Sequence, residues 1–529
     1  MTNQPDPATT ITEGRAVLGI EFGSTRIKAV LVGDDHQPIA TGSHDWENRF
    51  QDRVWTYSLD DAVAGMQAAH AALVRDVRDR HGVELTRLGA VGISGMMHGH
   101  LALDADDRLL TPFRTWRNTM TKPAASQLSE LFGCTIPQRW SIAHLWQAVL
   151  NDEPHVAEVA HITTLAGWIH WRLTGRRVVG ACEASGMFPV DGEVAWQGDA
   201  VAAFDRLAAE RGLPWRITDL LPRPLPAGAE AGTLTQEGAL LLDPTGTLRA
   251  GAVACPPEGD AGTGMVATNT VAPRTGNVSA GTSIFAMIVL DQPPAVVSEA
   301  IEMIATPAGH PVAMVHCNNG ASEVNTWAGI FAQFVERLGV DVDAGQVFET
   351  LFTASLDGAA DAGGLVAFNY LSGEHLVGLA EGRPLVLRTP DSELSLANFM
   401  RAQLYSVFAT LRVGLDVLVD EGGVHIDSLF AHGGIFRTPG VAQRHLAAAT
   451  KVPVTVGETA AEGGAWGIAL LAAFMRQEGV SLTDFLAGVF ADAVMSVVEP
   501  DAAEIAGFET YHRRQLAALP VERAAVDHS

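Results

Sequence analysis

Basic residues are scarce in this chain. Lys and Arg total 35 against 61 Asp and Glu over 529 residues, a formal net charge of −26. Such a balance offers no basic stripe to neutralise a phosphate backbone or an anionic lipid face, so neither nucleic acid nor membrane is expected as a partner. Net charge does not describe a single cleft, and a local pocket for a phosphate stays open. Cysteine is scarcer still: Cys134, Cys182, Cys255 and Cys317 are the four in the chain, with no CxxC and no Cys/His cluster. That spacing speaks against a disulfide framework or a structural zinc, and for a reducing, cytoplasmic setting. No uncharged apolar run of about 18 residues occurs, so no membrane span is expected. Met1 to Gly14, polar and rich in Pro and Thr, reads as a disordered tail rather than a signal peptide. Two phosphate-binding signatures are also missing. There is no GxxxxGK[ST], which excludes a P-loop, and no GxGxxG opening a helix after a strand.

What is present is ordinary globular material: 47% apolar and 18% charged residues, in a chain long enough for two or three domains. Ala16 to Val32 (AVLGIEFGSTRIKAVLV) places two β-branched runs around a Gly-Ser-Thr turn, which predicts a hairpin. Gly276 to Leu290 (GNVSAGTSIFAMIVL) repeats the pattern. Leu88 to Asp104 predicts a buried strand, a Gly-rich bend and a short strand. Asp61 to Arg80 has helical spacing and stops at Gly82, a C-cap. GDAGTG and Thr268 to Gly276 read as a hinge, after which come helices over 394–419 and 459–476 and a strand over 428–431. The chain is thus expected to form two mixed α/β lobes with a cleft between them: a tail over 1–14, a first lobe over 15–268 and a second over 269–529.

A phosphate-binding turn needs backbone N–H groups unshielded by side chains, with small hydroxyls beside them. Gly23-Ser24-Thr25 and Gly281-Thr282-Ser283 both supply this. One such turn is commonplace in hairpins; two, one per lobe, point to a nucleotide triphosphate. Glu21, just before the first turn, is a strand-end carboxylate or a ligand for the Mg²⁺ that accompanies ATP. Lys28 lies on the outgoing strand, aimed at phosphate or at water. Asp260, among small residues, is a turn Asp or a carboxylate that accepts the proton of an attacking hydroxyl and borders the metal. In Met96-Met97-His98-Gly99-His100 the two imidazoles alternate on an extended segment, so one of them would face a ligand. Arg114, Trp116, Arg117 and Asn118 make a polar-aromatic cluster, sugar-binding or surface loop. Gly433-Gly434 in AHGGIFR allows close approach to a flat ring, or is a plain strand-to-helix turn before a helix opened by Pro439. The Gly pair in Glu462-Gly463-Gly464-Ala465 implies close approach inside a helix.

In order, IEFGSTRIKAVLV, GISGMMHGH, GDAGTG, SAGTSIF, HGGIFR and EGGAWGIALLA resemble the FGGY family of carbohydrate kinases over about Ala16 to Arg476. The resemblance implies two actin/hexokinase-like (ribonuclease H-like) lobes, ATP and Mg²⁺ as cofactors, a small sugar as acceptor and closure of the lobes around it. Position by position, it implies Asp260 as general base, Gly23-Ser24-Thr25 and Gly281-Thr282-Ser283 as phosphate loops, and Gly433-Gly434 with Arg437 on the adenosine side. It implies Met97-His98 and Asn118 as acceptor contacts, Met-His being the pair of the xylulokinase branch, and a ketopentose (D-xylulose or L-ribulose) as acceptor. Glycerol, gluconate or a non-catalytic sugar-sensing role are the alternatives, and family members are commonly homodimers. Four positions depart from the pattern. Glu21 stands for the usual Asp, Ala261 for an Asn after the base, Asn118 for an Asp, and SIAHLW (Ser141 to Trp146) for a Pro-x-x-Lys helix.

Overall fold

The computed structural model describes residues 6–457 and 463–529. By internal contacts they divide into two compact units, and neither is one continuous stretch. Unit 1 comprises 1–271, 303–311 and 459–492; unit 2 comprises 272–302, 312–458 and 493–529.

Unit 1 is built on a hairpin, β1 (Val17–Phe22) and β2 (Arg26–Val32), continued by β3 (Pro38–Asp45). Helix α1 (Leu59–His81) packs on this side; it is capped by Ser58 at its start and ends where Gly82 turns left-handed at φ 67°. Strand β4 (Ala90–Gly95) joins β1 in parallel, and Val253–Ala254 pairs β4 in parallel in turn. The short strand β5 (Glu258–Gly259) pairs the far end of β4, with Gly259 opposite Gly95. Two further helices matter below: α2 (Ser141–Leu150) and the short α3 (Ala181–Ser185). Helix α4 (Asp260–Ala267) follows β5 without a break.

Unit 2 repeats the sheet order. The hairpin of β6 (Thr275–Ala280) and β7 (Ile284–Val289) is continued antiparallel by Pro311–Cys317. On its other side β6 takes Ser428–His432 in parallel, then Val454–Gly457. In both units the first strand of the hairpin is a central, mostly buried strand, apolar in β1 (VLGIEF) but of small and polar residues in β6 (TGNVSA). The core helix Leu396–Asp416 is apolar for most of its length, with Tyr405, Phe408 and Leu411 fully buried.

Several expectations change. The tail assigned to 1–14 holds a helix, Pro7–Thr12, capped by Asp6, with Thr10 and Ile11 buried; residues 1–5 lie outside the described ones. GDAGTG is no hinge: it is the end of β5 and the first turn of α4, inside unit 1. The late helix, described from Gly463 to Phe474, was assigned by order along the chain to the second lobe. It packs instead on β1, β4 and α4 in unit 1. Its expected beginning, Thr459 to Glu462, lies outside the described residues. The helix expected to open at Pro439 starts at Val441, because Gly440 before it adopts φ 76°.

Candidate active site

In unit 1 the turn Gly23-Ser24-Thr25 is tied down by its carbonyl oxygens. Gly23 O accepts from the Trp46 indole at 2.7 Å, Ser24 O from the Tyr57 hydroxyl at 2.6 Å, and Thr25 O from Trp46 N at 3.1 Å. Thr25 stays exposed and Ser24 half-buried. Gly23 N is also engaged, donating to Arg26 O at 3.0 Å, so the small hydroxyls of Ser24 and Thr25 are what the turn offers an anion.

Glu21 ends β1 directly opposite Lys28 on β2 and Ser94 on β4. Its carboxylate accepts the N–H groups of Gly464 and Ala465, at the start of the 463–474 helix. Burial nevertheless pushes its pKa up to about 7; Lys28 opposes that rise and the charge of Asp260 adds to it. The fit at Gly464 is tight, since a Cβ there would come within 2.5 Å of Glu21 Oε1 and 2.7 Å of Thr263 Oγ1. Close approach is therefore the reason for glycine inside this helix.

Asp260 occupies the first position of α4, where its negative charge is favoured by the helix dipole. Its Oδ1 accepts Met97 N at 3.0 Å. Burial raises its pKa, while amide donors from Met97, Ala261 and its own residue hold the rise back. Met97 is buried, and so is His98, whose Nδ1 lies 3.4 Å from Gly186 O. The segment is not extended, as the alternation of His98 and His100 assumed: His98 has φ 71° and Gly99 φ 90°. Both imidazoles are buried, at 6% and 1% exposure.

Two carboxylates beside Asp260 escaped the sequence reading. Glu258 is 1% exposed and accepts Glu183 N at 3.0 Å and Cys182 N at 3.5 Å, the amides of α3. Burial lifts its pKa to about 8. Glu183 is fully buried, and its pKa is raised well above the usual range by burial and by the charges of Asp260 and Glu258. An acid amid small and apolar neighbours (VVGACEASGMF) was the available signal for Glu183.

In the polar-aromatic cluster, Asn118 is a buried structural residue. Asn118 is 3% exposed and its amide is committed to backbone: Oδ1 accepts Trp55 N at 2.9 Å, and Nδ2 donates to Trp55 O at 2.8 Å and Thr115 O at 3.0 Å. Arg114 is buried and paired with Glu153, while Arg117 lies over the Trp55 ring at 4.1 Å. As a clamp on the Val54–Thr56 strand, Asn118 has both amide hydrogens committed to backbone carbonyls.

In unit 2 the turn Gly281-Thr282-Ser283 is again held by its carbonyls, Gly281 O from Ala321 N at 2.8 Å and Thr282 O from Gly320 N at 2.7 Å. Gly281 and Thr282 are exposed and line a cavity of about 1130 Å³. Gly434, Ile435 and Arg437 line the cavity as well, with Phe348 and Phe352 supplying aromatic wall and Asn325, Gln346 and Glu349 polar groups. Gly433, at φ 116°, carries the chain into this wall, and a Cβ on it would overlap the Ala280 carbonyl. An aromatic-walled cavity that also presents a small-hydroxyl turn could take a nucleotide.

Among the described residues no group of three His, Cys, Asp or Glu side chains forms a cage for a metal. Glu21 and Asp260, two carboxylates of which the second raises the pKa of the first by its charge, instead fit the sparse donor set Mg²⁺ takes when phosphate oxygens supply the rest.

Residues 16–242 match the N-terminal domain, and residues 276–476 the C-terminal domain, of the FGGY family of carbohydrate kinases. A glycerol kinase of Symbiobacterium thermophilum is 24% identical over 231 residues, 40% of this chain and 43% of the relative's length. A xylulose kinase of Haemophilus influenzae is 23% identical over 435 residues, 77% of this chain and 80% of the relative. The crystal structure of a xylulose kinase from Rhodospirillum rubrum superposes with a TM-score of 0.79 at 21% identity, covering 96% of this chain and 99% of that one.

Proposed function

The chain belongs to the FGGY family of carbohydrate kinases, and from that premise we propose that it transfers the γ-phosphoryl group of ATP to a terminal hydroxyl of a ketopentose, D-xylulose or L-ribulose. The observation that carries this reading is Asp260, held by Met97 N beside the Met97-His98 pair. A carboxylate in that setting takes the hydroxyl proton as the oxygen attacks phosphorus, and ADP leaves with the electron pair of the broken P–O bond. The raised pKa makes Asp260 a stronger base than a solvated aspartate.

Unit 1 provides the acceptor residues, Met97, His98 and Asp260, and the first phosphate turn with Lys28. Unit 2 provides the second phosphate turn and the cavity for the nucleoside, with Arg437 on its wall. Mg²⁺ would be held by Glu21 and Asp260 and would supply charge neutralisation at the phosphoryl oxygens. The H. influenzae xylulose kinase, matched over most of its length, favours a ketopentose, and the shorter match to a glycerol kinase keeps glycerol as the second acceptor to try.

The test is ADP release, measured with D-xylulose, L-ribulose, glycerol and gluconate in turn, for the wild type and Asp260→Asn. The variant is expected to lose roughly 10²–10⁴-fold in kcat with ATP binding retained. Near wild-type turnover in a folded Asp260→Asn protein would sink the assignment of the base.

A further inference from the structure

A second set of buried polar groups adjoins Met97 and His98 and takes no part in the chemistry above. His100 pairs with Arg114 through two backbone hydrogen bonds of 2.8 and 3.1 Å, and His144 sits on α2. Their rings stack, centroids 6.1 Å apart and planes 24° apart. His100 is 1% exposed and His144 not at all. Yet all four ring nitrogens lack a hydrogen-bond partner within the protein, as does Nη1 of Arg114. Buried polar groups are nearly always met by protein or by something bound. Five unmet atoms in one place therefore describe a site for a polar occupant.

The character of the occupant follows from the donors and acceptors on offer. Burial and the Arg114 charge keep both imidazoles neutral, with His155 adding to the effect on His100 and the pair Arg139 and His144 acting on His98. A neutral imidazole has one N–H donor and one acceptor nitrogen. The pair thus presents two donors and two acceptors, and Arg114 a further donor. A carboxylate or phosphate supplies acceptors only, and an ammonium group donors only. Hydroxyl groups supply both, so a run of hydroxyls, or water in its absence, meets every atom.

The same loop leads to the proposed base. Met97 N bonds Asp260, and the chain then turns sharply at His98 and Gly99. Gly99 O accepts the Ser141 hydroxyl at 2.5 Å, which docks the start of α2, and with it His144, onto this loop. We propose that His100 and His144, with Arg114, bind the hydroxyls of the acceptor remote from the one phosphorylated, and so select a neutral polyhydroxylated acceptor over a sugar acid. The proposal rests on the kinase reading above and names its acceptor class.

His144→Leu removes one donor and one acceptor; His144→Gln keeps one of each. His144→Leu is expected to raise KM for the neutral ketose roughly 10–100-fold, the change falling on KM rather than kcat, with KM for ATP unmoved. His144→Gln recovers most of the loss, which a merely structural role would not give. On the wild type, acceptors lacking one remote hydroxyl lose at least roughly tenfold in kcat/KM, because a built polar site rejects the deoxy analogue. Acceptor KM within about 2-fold of wild type in folded His144→Leu would assign the pair to internal water and overturn the proposal. So would a wild type that prefers gluconate to the matching ketose, although the kinase reading then survives. If His144→Leu does not fold, deoxy acceptors that work as well as the parent on the wild type overturn it alone. Failure of every acceptor to stimulate ADP release overturns both readings.

Discussion

Glu258→Gln isolates one buried acid whose contribution has a definite sign. In the native protein the carboxyl is 1% exposed and its pKa lies at about 8, against an ordinary 4.5. Between those two values the folded state keeps a proton that the unfolded state releases. Stability must therefore fall as pH rises through this window, and the carboxyl's favourable contribution is fully present only below the unfolded pKa. Linkage over that interval gives a loss of roughly 3 kcal/mol between pH 5 and pH 8 from this group alone. Gln has the same shape and does not titrate; its oxygen can keep the 3.0 Å bond from Glu183 N, while its NH2 group replaces the oxygen 3.5 Å from Cys182 N. Relative to wild type, the variant should gain about 3 kcal/mol between pH 5 and pH 8. Urea unfolding of metal-free protein in half-unit pH steps measures the difference. A wild type that gains on the variant as pH rises, or a difference constant with pH, would refute the argument. Glu183 also titrates upward, so some slope should remain in the variant.

Asn118→Ala tests the clamp assignment: it should cost about 1–3 kcal/mol by leaving the Trp55 backbone groups unmet, while acceptor KM stays within about 2-fold. A selective rise in acceptor KM would restore Asn118 to the acceptor site. Gly433→Ala meets both a left-handed φ and the Ala280 carbonyl, so the wall of the unit 2 cavity must shift. Calorimetric titration with ADP should show affinity at least roughly tenfold lower, and unchanged affinity would disconnect this turn from the nucleotide.

Much of this was legible locally. The two Gly-Ser/Thr turns sit where the strand patterns placed them because a hairpin is specified by its own residues: alternating or continuous β-branched runs and a permissive turn. Glu21, Asp260, Met97 and His98 do gather in unit 1. Other features depend on partners remote in sequence. The 463–474 helix is apolar on every side, so its pattern says that it is buried but not against which sheet. Asn118 reads as available because it follows Trp116 and Arg117, both exposed. Its commitment to Trp55, 63 residues earlier, leaves no trace in the local pattern. His98 and His100 broke the alternation rule through two positive φ values, which spacing alone does not encode. Glu258 immediately precedes the recognised Gly-Asp, and nothing in its spacing separated a buried acid from a solvated one.

The 463–474 helix also has a consequence for how the protein is made. Residues 1–271 contain the strands and α4 on which it packs, but the ribosome delivers the helix roughly 190 residues after that segment is complete. At about 5–20 residues per second, the nascent chain waits roughly 10–40 s with that apolar face uncovered. Growing chains of this protein should therefore be chaperone clients during that interval. No single cut in the gene can release either unit whole, because the chain leaves unit 1 after residue 271 and returns to it at 303 and again at 459.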